Sequence, residues 1–166
     1  MKRTVFAFMA LAFLGAGVAL AATPEWADLN LKVIGLYQEE KYEEAVPLAQ
    51  KARDAAESEY GTQSREYVLA LNNLAMLYKK TGHTSAAGPL YKQALAVSEK
   101  LLGADHPDLA LPLNNLAMFY NMQKDYKKAD DYSQRAIALL EKAYGSAHSY
   151  TAEARDRYEA MKKERV

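Results

Sequence analysis

No cysteine occurs in the 166 residues, so the chain can build no disulfide framework, thiolate nucleophile, cysteine-based zinc site or lipid-modified cysteine. Neither sign of charge is in excess, with 21 Lys+Arg against 21 Asp+Glu. That balance excludes a basic nucleic-acid binder, and a 50% apolar content excludes a disordered segment. Phe and Trp are scarce, at four and one, against twelve Tyr. Three of the four Phe (Phe6, Phe8 and Phe13) fall within the first thirteen residues, so the start of the chain differs in material from the rest. The length suits one domain with a real core.

Lys2 and Arg3 precede an apolar run from Val5 to Leu20, interrupted only by Gly15 and Gly17. Ala19-Leu20-Ala21 follows as a small-residue cleavage site. A charged start, a short apolar stretch and small residues are the order of a secretory signal peptide. The run of about sixteen residues is shorter than the roughly 20 needed to span a bilayer. Cleavage after Ala21 is expected, which makes 1–21 the signal peptide and 22–166 the mature domain. That domain carries 19 basic and 21 acidic residues, a net charge of −2. The expected address is the bacterial cell envelope, periplasmic or secreted, with no membrane span after cleavage.

What the chain does have is a repeat. Leu71-Asn72-Asn73-Leu74-Ala75-Met76 recurs as Leu113-Asn114-Asn115-Leu116-Ala117-Met118, an offset of 42. The same offset joins Gly61, Gly103 and Gly145, and it joins Ala45, Ala87 and Ala129. It also joins Ala52, Ala94 and Ala136, and pairs Tyr78 with Tyr120, His106 with His148 and Pro47 with Pro89. Each unit reads as two helices. Leu71, Leu74, Ala75 and Tyr78 have i, i+3, i+4, i+7 spacing on a helix expected from Ser64 to Thr81. Gly82 is the expected left-handed stop. A second helix is expected from Thr84 to Leu101, with Ala87, Leu90, Tyr91, Ala94 and Leu95 inward. Small residues at Ala75, Ala87 and Ala94 allow close approach, while Tyr78 and Tyr91 fill the space beside them. Asp105-His106-Pro107-Asp108 opens the next unit, with Pro in the first turn.

This pattern resembles the tetratricopeptide repeat in its long 42-residue form, known from kinesin light chains and many bacterial proteins. The middle unit carries the large-small series in Leu71, Leu74, Ala75, Tyr78, Ala87, Tyr91 and Ala94. The third repeats it, with Ser133 where Tyr91 stood. The resemblance implies an all-α, right-handed helix-pair solenoid of three repeats (about 25–61, 64–103 and 106–145) plus a capping helix at about 149–164. The ends carry charge where the repeat is apolar: Lys32 at the position of Leu74 and Leu116, and Arg155 and Glu159 at those of Leu113 and Ala117. Polar terminal faces keep a stack soluble. Thr23 as N-cap with Pro24 at N1 is the expected start of the first helix.

Catalytic chemistry finds little support. His106 and His148 occupy equivalent linkers and His83 a turn, so none has convergent ligand spacing. No Gly-rich phosphate loop or Gly-x-Ser-x-Gly is present. Glu39-Glu40, Glu43-Glu44 and Asp130-Asp131 read as dipole-favouring or solvated acids, and Lys79-Lys80 and Lys127-Lys128 as solvated charge. No cofactor, metal or nucleic acid is expected.

The informative set is Asn30, Asn72 and Asn114, one per unit. Helical rotation places Met76 and Lys79 on the stripe of Asn72, Ile34 and Tyr37 on that of Asn30, and Met118 and Asn121 on that of Asn114. First helices line the concave side of such a stack, and the resemblance implies that this face holds a peptide or a helix, with Asn bonding the ligand backbone. A carboxamide offers both donor and acceptor, and Met adds adaptable apolar surface. The competing role is bonding between neighbouring first helices, which fits Asn73 and Asn115 better. The reading is therefore a non-catalytic envelope adaptor that binds a protein partner. A self-associating structural protein (a homo-oligomer) is the alternative, and an enzyme a remote one. Asn72→Ala and Asn114→Ala are expected to weaken partner capture without changing melting.

Overall fold

The computed structural model describes residues 24–165, so the expected leader lies outside the described residues. Seven α-helices follow one another: α1 (Glu25–Gln38), α2 (Tyr42–Tyr60), α3 (Arg65–Lys80), α4 (Thr84–Leu102), α5 (Ala110–Met122), α6 (Tyr126–Tyr144) and α7 (Ser149–Lys163). A 3-10 turn, Pro107–Leu109, leads into α5. Helices expected at Ser64 to Thr81 and Thr84 to Leu101 are found one residue or less from those ends, with Ser64 as the N-cap whose hydroxyl accepts from the Tyr67 amide at 3.1 Å. The start of α1 differs from expectation. Pro24 is the N-cap residue rather than N1 and makes no side-chain capping bond, while Thr23, the expected cap, lies outside the described residues. Glu59 of α2 caps the helix, its carboxylate accepting from the amides of Glu25 at 2.8 Å and Trp26 at 3.4 Å. A neighbouring carboxylate satisfies open N–H groups and favours the positive helix end just as a local cap would.

Two kinds of turn alternate along the chain. Between units, Gly61, Gly103 and Gly145 have φ of 79°, 87° and 88° with ψ of 166°, 154° and 162°. That region is essentially closed to any residue with a Cβ, which explains glycine at a 42-residue period. Within a unit, Glu40, Gly82 and Lys124 share the next register and all have φ near +60° to +80°. Gly82 is the expected stop; Glu40 and Lys124 make the same turn without glycine. Each closes its helix with paired bonds, Lys41 N to Leu36 O at 2.9 Å in one case and Asp125 N to Tyr120 O at 3.0 Å in the other.

The linker histidines have a local task. His106 and His148 are the N-cap residues of the 3-10 turn and of α7, and each Nδ1 accepts a backbone amide, from Asp108 at 3.1 Å and Tyr150 at 3.3 Å. They do the work that Ser64 does one unit earlier.

The core runs continuously between the helices. Leu71, Leu74, Leu77, Leu109, Leu113 and Leu116 are fully buried, each side chain contributing about 1.5–3 kcal/mol. Ala75, Ala87 and Ala94 are completely enclosed, as the small-residue reading requires. Where α4 meets α5, the Phe119 ring lies directly over Gly88 and tilts against Tyr91 at 6.2 Å. Position 74 faces the preceding unit, packing with Val33, Ala45 and Ala49, and its counterpart Lys32 in the first described unit is exposed. Arg155 and Glu159 stand where Leu113 and Ala117 meet their own second helix, and both are exposed. Arg155 instead pairs with Glu141 and donates to the Ser146 carbonyl at 3.1 Å.

Candidate partner-binding groove

The odd-numbered helices present the expected stripes. Ile34 and Met118 are exposed, at 40% and 50%, while Met76 between them is half-buried. Tyr37 is half-buried with its ring 5.2 Å from Tyr42. Lys79 is half-buried rather than freely solvated. Burial, reinforced by the neighbouring charge of Lys80, holds its amine below the ordinary lysine value.

The asparagines separate by what they bond. Asn73 donates to Asn30 Oδ1 at 2.8 Å, and Asn115 donates to Asn72 Oδ1 at 3.2 Å. Asn72 donates in turn to the Val68 carbonyl at 2.9 Å. Asn30 and Asn72 thus belong to a ladder that ties each first helix to the next, the structural role that Asn73 and Asn115 were expected to fill; here each rung takes one residue of each kind. The next rung would pair Asn114 with position 157, which is Arg157, and that guanidinium faces Glu153 at 3.7 Å. The ladder stops, and the Asn114 carboxamide has no hydrogen-bond partner among the described residues.

Asn114 lines a cleft of about 520 Å³ between α5, α6 and α7, together with Met118, Asn121, Met122, Tyr158 and Met161. The cleft has a local cause. In the preceding interface Tyr91 and Phe119 fill this space; 42 residues later stand Ser133 and Met161, with far less ring volume between the helices. Ser133 is buried at the base. A second cleft, of about 440 Å³, lies between α3, α4 and the start of α5 and is bordered by Leu69, Leu101 and Leu111. All three are exposed.

Two residues outside the expected stripes complete the third unit. Arg165, just past α7, donates from Nε to Asn121 Oδ1 and from Nη2 to Asp130 Oδ1, both at 2.8 Å. Its guanidinium lies 4.7 Å from the centre of the Tyr126 ring. The Arg165 guanidinium holds the Asp130 carboxyl below the ordinary carboxylate value, helped by a hydrogen bond from Tyr158. Asp130 is therefore an engaged acid, whereas Asp131 beside it makes only a surface pair with Lys127 at 2.9 Å. The one signal in the sequence was that Asp130-Asp131 replaces Gly88-Pro89. Among the described residues no His/Asp/Glu group is placed to hold a metal, and no helix is long and apolar enough to cross a membrane.

The tetratricopeptide repeat family model matches residues 27–100, 86–142 and 108–160. Among solved structures, BtubC (BKLC) from P. vanneervenii superimposes with a TM-score of 0.76 at 19% identity, over 88% of this chain and 59% of that one. A Podosopora anserina putative kinesin light chain with nearly identical TPR-like repeats gives 0.73 at 18% identity, over 84% of this chain and 67% of that one. A single-residue variant of that second protein gives 0.72 at 19% identity, over 83% and 66% respectively. The chain therefore spans only about 59% of the first of these proteins, and the likeness is one of fold. No curated protein matches the chain significantly. With the period, the two-helix units and the family match in agreement, the chain belongs to the tetratricopeptide repeat family.

Proposed function

We propose that this protein is a non-catalytic adaptor of the bacterial envelope whose concave groove holds a peptide or helix of a partner protein. Tetratricopeptide repeats are in general protein-interaction modules, and solenoids act through extended concave surfaces. The observation that carries the reading is Asn114: a carboxamide left over where the inter-helix ladder ends, beside a cleft walled by Met118 and Met122. It is free to meet the donor and acceptor of a peptide unit, and the flexible thioethers suit a varied apolar side chain. The envelope address rests on the charged, apolar, small-residue order of residues 1–21.

Asn72 and Asn114 no longer form an equivalent pair. Asn114→Ala is expected to weaken capture of envelope proteins at least tenfold while leaving the melting temperature within about 1 °C, because no internal bond is lost. Asn72→Ala removes a ladder rung and is expected to cost about 1 kcal/mol of stability. Pull-down from envelope extract with the wild type and each variant, read beside thermal melts, separates the two. Undiminished capture by Asn114→Ala would sink the groove reading.

A further inference from the structure

We infer that Asn121, Tyr126 and Asp130 form a guanidinium-binding pocket at the end of the groove, which Arg165 fills in cis and which an arginine of the bound partner segment takes over. The inference rests on the groove reading and names one chemical group that the partner must carry.

Three different kinds of recognition converge on one guanidinium: a neutral acceptor from Asn121, a charged acceptor from Asp130 and a π-face from Tyr126. The Arg165 side chain is only 14% exposed, although it lies beyond the last helix. Nε and Nη2 donate to two separate oxygens, a two-pronged geometry that a lysine ammonium cannot reproduce in one plane.

The repeat does not require this combination. Asn121 stands where the earlier units have Tyr37 and Lys79, and Asp130 where they have Val46 and Gly88. Tyr126 shares its register with Tyr42 of the first unit and Thr84 of the middle one. The first two interfaces pack without the two acceptors, so the repeat itself does not call for them beside a tyrosine ring. Asn121 also borders the 520 Å³ cleft. A segment lying along Asn114, Met118 and Met122 therefore reaches the pocket at its end.

The cis occupant is tethered by a short turn. Arg165 follows α7 there, its amide donating to the Lys162 carbonyl at 3.2 Å. A tethered occupant competes at an effective concentration on the order of millimolar. It therefore sets a threshold: the pocket opens to a partner that adds groove contacts to its arginine, and stays closed to free arginine.

The test uses the whole chain and a small probe, Nα-acetyl-arginine amide, with Nα-acetyl-lysine amide as control, titrated by NMR. Arg165→Ala is expected to bind the arginine probe at least tenfold more tightly than the wild type, and the lysine probe at least tenfold less well than the arginine one. Asp130→Asn placed on top is expected to abolish the gain. Arg165→Lys, which keeps a cation in the pocket, is expected to fall between wild type and Arg165→Ala and serves as the second variant if the alanine form melts early. Probe binding no tighter in either variant than in the wild type overturns the pocket, as does indifference to Asp130→Asn or equal binding of the lysine probe. The outcome is independent of Asn114→Ala and envelope capture, so the pocket and the groove can fail separately.

Discussion

Individual residues carry the conformational demands of the turns. Glu40 and Lys124 hold φ of 59° and 60°, where a side chain costs about 1 kcal/mol and glycine almost nothing. Glu40→Gly and Lys124→Gly are each expected to raise stability by no more than about 0.6 kcal/mol, after allowing for the greater freedom of glycine in the unfolded chain. Urea unfolding checks this, and a loss in both would show that the left-handed turns are not strained. Asp130 supplies a pH signature. Its folded value lies below its ordinary one, so its contribution is present above about pH 4 and fades as the pH falls through the folded value. Arg165 and Asp130 are partly screened, which limits the pair to about 1 kcal/mol or less. Asp130→Asn should therefore lower the melting temperature by about 2 °C at pH 7, with the gap closing as the pH falls through the folded value of the carboxyl. A gap that persists in acid would assign the loss to packing instead of charge.

At the scale of elements, the joints between helix pairs differ in how they are filled. The second joint depends on the absence of a side chain at Gly88, where an added Cβ would lie 2.6 Å from Phe119 Cζ. Tyr91 and Tyr120 flank the ring at 6.2 Å and 5.3 Å and restrict how far it can swing. Gly88→Ala is expected to cost about 1–3 kcal/mol, and Phe119→Leu in the same chain to recover part of it. A purely additive double mutant would place the strain elsewhere. These joints also mark what was legible in advance. The helix spans, the Gly turns and the enclosed alanines could be read from the 42-residue period because each depends on residues close in sequence. Ser133 was visible as a departure, yet the cleft was not, since its volume needs Met161 and Tyr158 brought in from another helix. The Asn ladder was half legible: one asparagine per first helix could be read from the period, but pairing position 30 with 73 and 72 with 115 depends on the stagger between units. Arg165 carried no period at all, so nothing local pointed to its pocket.

For the molecule as a whole, the larger cleft and Arg165 sit at one end, in the third unit and the capping helix, while the first joint is packed with Val33, Ala49 and Leu77. On the proposed reading, binding at that end is separated from the packing of the first joint. Lys32 at one end of the described stack and Arg155 and Glu159 at the other are exposed charges that give it a direction. Head-to-tail docking of a second molecule would have to bury Lys32 at one end and Arg155 and Glu159 at the other, at several kcal/mol for any charge left unpaired. Growth from within is open, because the middle unit has matching apolar faces on both sides. An extra copy of residues 64–105 inserted after residue 105 is expected to fold as a longer stack with a higher melting temperature and a monomeric sedimentation profile. The charges at the two ends act as punctuation, and the number of units between them is free to vary.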